Sequence, residues 1–483
     1  MFSASLRAAC AALLAAAVVA AVPPAAALPA GPAVDWTASY DGGIANHDEA
    51  TDTATGPDGS VAVTGSSVRR AGDRDIVTVV YAPDGTRRWQ VRFNGKIPNW
   101  PAQATWNDVA QNVAFDAAGN VYVTGWTWRG LDSPGTEEDI VLLKYSPTGT
   151  LLWKRLYNGP VNRGDFPTDL EIDDSGNVHI AGYSTGGEIG VRYYYESLAL
   201  KFNPDGAQQW ARRYSFEERG DIADSADLDA AGNFVVSGTS TGYNGGSMQD
   251  TFTIKYSPDG AVLWTAPNKQ TFDTQRSTWD VTVDPGGDVY VLGTDFRDES
   301  TRRDLFLFKY SGTTGHLLWR RWWVGPGYSD DFAHYVSTDA AGNAYVAAER
   351  GDLNLPMQSA DAVTLKYAPN GTLLWSNLFT GPDCSCTGWD GDPQMEVTST
   401  GVAYIALQSQ DAKGRYRFTT LKYSPTGSQV WVKRVPIVGS NDLVRAMSLD
   451  PQGNVILAGT RTSGAAGTPD QHFDYLVAKL LIG

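Results

Sequence analysis

The chain has 483 residues, with 54 acidic against 38 basic side chains and a formal net charge of −16. That acidic balance opposes binding to nucleic acid and other polyanions. Few charges (19%), many aromatics (11%) and 51 glycines suit an all-β chain with tight turns, and no amphipathic helical stretch follows the N-terminus.

Residues 1–30 read as an export signal. Arg7 is the positive start, residues 8–22 are apolar, and Ala25-Ala26-Ala27 and Leu28-Pro29-Ala30 offer small-residue cleavage sites. The apolar run is short for a membrane span, although a retained N-terminal anchor stays open. Cys10 has no lipoprotein-type surroundings. The expected mature domain is 31–483, secreted and extracellular.

A strand carrying a Trp comes next, Val34-Asp35-Trp36 through Gly42, and stands alone. From there a unit of about 55 residues recurs to the end of the chain. Each unit contains a hairpin, clearest at Phe115-Asp116-Ala117-Ala118-Gly119-Asn120-Val121, whose Asp opens the turn and whose Gly and Asn tolerate positive φ. Alternating apolar residues on both sides mark strands. A third strand runs into a Tyr-x-Pro-x-Gly turn, as in Tyr145-Ser146-Pro147-Thr148-Gly149, and a fourth carries Trp. The Trp residues are Trp89, Trp153, Trp210, Trp264, Trp319, Trp375 and Trp431. The last unit, ending near Ile482, has a third strand and no Trp strand after it. The two ends are complementary halves. The expectation is a single eight-bladed β-propeller with four antiparallel strands per blade, its last blade completed by residues 34–42 through pairing of N- and C-terminal strands. Basic pairs after the Trp, such as Lys154-Arg155 and Arg212-Arg213, read as edge protection on exposed strands.

The first strand of each unit is expected to line a central channel. Aligned on the residue opening the hairpin turn, one column reads Asp48, Asp108, Asp165, Asp221, Arg276, Asp331, Asp390 and Asp442. Four residues on, the same face gives Asp52, Asn112, Asp169, Ser225, Asp280, Tyr335, Gln394 and Ala446. An acidic funnel that attracts a cation is one reading; carboxylates that hold backbone amides within the repeat is the other, and repetition favours the second. An asymmetric ligand needs residues that break the symmetry. Arg276 does so in the first column. Trp279, His334 and Arg445 do so in another, where other units carry Thr51, Gln111, Thr168, Asp224 and Pro393. The long connection at 95–106 adds Trp100 and Trp106 to a rim that could stack on sugar rings. These six residues are the candidate ligand-binding set.

Cys384 and Cys386, in a loop between units, are a candidate disulfide in an oxidising compartment, with free thiols or a metal as alternatives. Nucleophile elbows, paired zinc histidines and phosphate loops are absent from the sequence. No catalytic residue, metal ligand or cofactor is therefore selected, calcium being the one ion left open.

Asp116 to Gly125 followed by Lys144 to Trp153 resembles the SBBP β-propeller repeat of secreted bacterial proteins, and both halves recur along nearly all of the mature chain. The resemblance implies a propeller and an extracellular location, and no reaction; the family name refers to seven blades, against eight units here. Gly312-Thr313-Thr314-Gly315-His316-Leu317-Leu318-Trp319 is more weakly similar to the docking motif of quinoprotein-like eight-bladed propellers. Those enzymes place a quinone beside calcium and an adjacent Cys-Cys ring, whereas Ser385 separates the cysteines here. Two function classes follow. One is a monomeric, secreted binding or scaffold protein that presents the channel mouth and an aromatic rim to a glycan, cell-surface or protein ligand, without nucleic acid or a stable membrane span. The other is an extracellular enzyme, a carbohydrate-active hydrolase or lyase, or a quinone-dependent dehydrogenase.

Overall fold

The computed structural model describes residues 31–43, 47–70, 73–95, 107–128, 137–189, 192–216, 220–241, 249–268, 275–298, 302–325, 329–352, 359–381, 389–411, 413–436, 441–463 and 472–482. Among them are thirty-two strands and no helix; no helix is long and apolar enough to cross a membrane. The export signal and the Cys384/Cys386 loop lie outside the described residues, as do Trp100 and Trp106.

The strands form four-stranded antiparallel meanders, an arrangement consistent with a propeller. They cover 48–93, 108–157, 165–214, 220–268, 275–323, 329–379, 390–434 and 441–480. The fourth and fifth are joined into one sheet by a single parallel bridge between Gln249 and Gln275. Strand β1 (Val34–Tyr40) supplies the fourth strand of the last meander. It pairs with β32 (His472–Leu480), setting Trp36 opposite Lys479 and Tyr40 opposite Tyr475.

Successive meanders pack face to face. Tyr122, Ile140 and Leu142 of one share a buried cluster with Leu170, Ile180 and Leu198 of the next. Tyr40, Tyr475 and Val477 share one with Val61, Val63 and Val77, so the last meander also packs on the first. Each such aliphatic side chain contributes roughly 1.5–3 kcal/mol by leaving water.

The Tyr-x-Pro-x-Gly turn and the Trp are the two halves of one joint. Trp153 Nε1 donates to Pro204 O of the next meander at 3.1 Å, and Trp36 Nε1 donates to Pro83 O at 2.9 Å. The indole lies on the turn glycine: at Gly149 a Cβ would stand 2.8 Å from Trp89, and φ is +83° there, so both space and backbone require glycine. Arg155, Arg212 and Arg321 donate Nε–H to the carbonyls of Gly206, Gly260 and Gly371. One member of each of these basic pairs is therefore a clamp between meanders, beyond the edge protection expected of it.

The hairpin Asp is tied down twice. Asp116 accepts from the Asn120 backbone at 2.9 Å and from its side chain at 2.8 Å. A buried lysine from the third strand then reaches it: Lys255 Nζ lies 2.7 Å from Asp229, Lys309 2.9 Å from Asp284, and Lys479 2.9 Å from Asp450.

Candidate functional site

The first strands of the meanders are β2 (Asp48–Thr55), β6 (Asp108–Phe115), β10 (Asp165–Ile172), β14 (Gly220–Leu228), β18 (Gln275–Val283), β22 (Ser329–Thr338), β26 (Asp390–Val397) and β30 (Asn441–Leu449). All eight slip register near their third residue, as between Ala50 and Asp52, Ala333 and Tyr335, and Gly391 and Gln394. Such a bulge reverses the alternation of side chains beyond it. The columns at Asp48 and Asp52 therefore do not share a face, contrary to their even spacing.

The first column turns into the protein. Asp108, Asp165 and Asp331 are fully buried and accept the backbone N–H of Gly95, Gly159 and Gly325 at 2.7 Å each. These carboxylates hold the connections between meanders; they are no funnel. Arg276, expected at the ligand site, belongs to the same column and is not among the residues that line the central cavity. It is buried, 2.7 Å from Asp295, with its guanidinium over Phe306 and Phe308. Other units pair Asp here with Ser or Thr, or with arginine, as Asp331 opposite Arg350; β18 exchanges the charges, and Arg276 is the arginine of that ion pair.

Beyond the bulge, all eight first strands contribute to one central cavity of about 660 Å³. Trp279, His334 and Arg445 occupy bulge positions and line it. Trp279 is 44% exposed and its ring packs 5.6 Å from that of His334.

The rest of the wall is dominated by carboxyl groups: Asp52, Asp169, Glu171, Asp224, Asp280, Asp392 and Glu396. Burial pushes Asp52, Asp280 and Glu396 up to about 7 and Asp224 to about 6. Glu171 is raised well above its ordinary range by burial and by the neighbouring carboxylates Asp169 and Asp227. Several of these groups also staple adjacent meanders. Asp52 accepts Val113 N–H at 2.8 Å, Asp169 accepts Ala226 N–H at 2.9 Å, and Asp280 accepts Val336 N–H at 2.7 Å. Asp227 does the same for Val283 at 2.7 Å.

One corner of the mouth departs furthest from the repeat. His334 Nε2 lies 3.7 Å from Glu349 Oε2, and Glu349, on β23 (Ala344–Asp352), is buried. Asp392 N–H donates to the same Glu349 oxygen at 3.2 Å, and Gln408 Nε2 donates to the Asp392 carboxylate. Burial raises the Asp392 carboxyl, while His334 and Arg445 pull it down and Glu349 pushes it up. Asp392 has φ +51°, a left-handed conformation uncommon for a residue with a side chain.

Sequence reasoning missed both Glu349 and Asp392, and each carries a signal. Across the units Asp392 aligns with Ala50, Ala110, Pro167, Ala223, Thr278, Ala333 and Val444. It is the one acid in a small, mostly apolar column.

Comparisons with known proteins add a family match and distant structural overlaps. No curated protein matches the chain. An ulvan lyase of polysaccharide lyase family PL25 overlaps at 12% identity and TM-score 0.45, over 75% of this chain and 90% of that one. The polysaccharide lyase Uly1 gives 10% and 0.46, over 81% and 93%. An apocarotenoid oxygenase of Synechocystis gives 12% and 0.39, over 84% and 94%. Overlaps this distant say nothing of what this chain does. The SBBP beta-propeller repeat, the family that the sequence resembles, matches residues 104–132.

Proposed function

We propose that this chain is a secreted, closed eight-bladed β-propeller that binds a saccharide unit of an extracellular glycan in the mouth of its channel. Eight blades follow from taking the sheet bridged at Gln249 and Gln275 as two. Closure rests on the β1–β32 pairing and on the Trp36-to-Pro83 hydrogen bond.

The observation that carries the binding reading is Trp279. An indole 44% exposed at the edge of a polar cavity of about 660 Å³ offers the C–H face of a sugar a stacking surface. Around it, Asp224, Asp280, His334 and Arg445 supply donors and acceptors suited to hydroxyls. Carboxyl groups that titrate near 6 to 7 can donate as well as accept in a mildly acidic medium.

The test is a glycan-binding screen on residues 31–483, repeated with Trp279→Ala. We expect at least one glycan hit, weakened more than tenfold by the substitution. Hits that bind Trp279→Ala as tightly as the parent would overturn the reading.

A second reading is turnover of the bound saccharide. It is favoured by His334, which lines the cavity with its Nε2 buried and without a hydrogen-bond partner, a position from which it can exchange a proton with a bound hydroxyl. Incubating each hit with the protein and assaying for new reducing or unsaturated ends decides it.

A further inference from the structure

We propose that His334, Glu349 and Asp392 bind one divalent transition-metal ion at the channel mouth. The proposal stands whether or not the cavity takes a saccharide.

Three independent departures from the repeat meet at this point. His334 stands where other units have Thr51, Gln111, Thr168, Asp224, Trp279, Pro393 and Arg445. Glu349 is the one carboxylate in a column of Ser66, Trp126, Tyr183, Thr239, Thr294, Gln408 and Thr460. Asp392 is the one acid in its own column, and a left-handed backbone turns it to the cavity wall. A residue that served the blade would recur from blade to blade. These three occur once each, in two adjacent meanders, and one donor atom from each lies within 4.8 Å of the others.

The geometry fits coordination better than hydrogen bonding. At 3.7 Å, His334 Nε2 and Glu349 Oε2 are too far apart to share a proton. Neighbouring donors on a tetrahedral zinc ion, with bonds of about 2.0–2.1 Å, sit about 3.3 Å apart. A contraction of a few tenths of an ångström brings the His334 and Glu349 atoms to that spacing, and the Asp392 oxygen starts within 4.8 Å of both. Glu349 has a side chain only 8% exposed, and a carboxylate so placed needs a compensating charge.

The surroundings orient the ligands. Gln408 holds the Asp392 carboxylate, the Asp392 N–H fixes Glu349, and the Trp279 ring packs on the imidazole. One nitrogen and two carboxylates suit Zn²⁺, Co²⁺ or Mn²⁺; calcium prefers six to eight oxygens. His334 and Asp392 line the cavity and Glu349 stands behind them, so the remaining coordination position faces the cavity. Arg445, which acts on Asp392, is the competing counter-charge.

The test uses residues 31–483 stripped with chelator and titrated calorimetrically with Zn²⁺, Co²⁺ and Ca²⁺. We expect one Zn²⁺ per chain. His334→Ala and Asp392→Asn should each weaken it at least tenfold, with unchanged circular dichroism. Co²⁺ should quench a fraction of the tryptophan emission that is lost in Trp279→Phe. Glu349 is buried, so a Glu349→Gln protein that fails to fold leaves the decision with the other two variants. The proposal falls if the parent binds no stoichiometric Zn²⁺. It falls equally if the His334→Ala/Asp392→Asn double variant binds as the parent does, or if Ca²⁺ binds more tightly than Zn²⁺.

Discussion

Two sets of carboxyl groups recur around this molecule, and they have been given opposite chemistry. At the hairpin turns, Asp116, Asp173, Asp229, Asp339 and Asp450 sit below the ordinary carboxylate range. Burial alone would raise them, but the turn Asn side chains and backbone outweigh it, joined by charges such as Lys255 and Lys479. Along the cavity, Asp52 and Asp280 also accept backbone N–H groups, but burial carries them to about 7. Both sets join strands. The turns do so with ionised groups, the cavity with groups that keep a proton well above the usual range. What separates them is the deeper burial of the cavity set and, at the turns, an Asn side chain joined by a lysine. The net charge of −16 therefore overstates the negative potential of the channel near neutral pH.

The largest effect is expected at a turn. Asp229→Ala leaves Lys255, 3% exposed, without its carboxylate. An unfolding free energy lower by about 3–5 kcal/mol is expected from denaturant titration. The first meander shows the escape, since Gly56 and Val80 occupy the equivalent positions and neither charge is present. Asp229→Gly combined with Lys255→Val should regain most of the loss. A double variant as unstable as the single one would show that the pair does more than cancel its own burial.

A cavity carboxyl is expected to matter less. Asp280→Ala frees Val336 N–H and Ser225 Oγ, at about 1–3 kcal/mol by the same titration. A loss as large as that of Asp229→Ala would mean that Asp280 is ionised and paired, against the distinction drawn above.

The turn set was legible in the sequence and the cavity set was only half so. Asp, Gly and Asn at fixed offsets report a local turn, and local geometry is written in consecutive residues. The first-strand bulge depends on the neighbouring strand, and counting residues places Asp48 and Asp52 on one face. A clue lay between them: Ala50, Ala110, Ala223 and Ala333 share that parity and are buried. A small apolar column between two polar ones is what a reversal of face leaves behind. Arg276 looked exceptional because its partner, Asp295, lies on another strand, and the exchange of charges appears only once the two are paired. Glu349 and Asp392 escaped for the same reason. Each is an ordinary residue in its own strand and unusual only against the equivalent positions of the other meanders.

The smallest effect, and the sharpest discriminator, is the pH profile. A carboxyl raised in the folded chain holds a proton that the unfolded chain releases near pH 4, so its contribution falls as pH rises from about 4 through about 7 and is level beyond. The turn carboxyls run the other way, contributing above about pH 4 and losing that contribution as pH drops below it. Denaturation midpoints should therefore peak in the mildly acidic range. Asp280→Asn should flatten the fall on the alkaline side and leave the acid limb alone, because an amide keeps an acceptor for Val336 and has no proton to lose. Asp229→Ala should shrink the acid limb instead. If Asp280→Asn moved the acid limb, the cavity and turn carboxyls would titrate as one set, and burial and turn partners would not divide them.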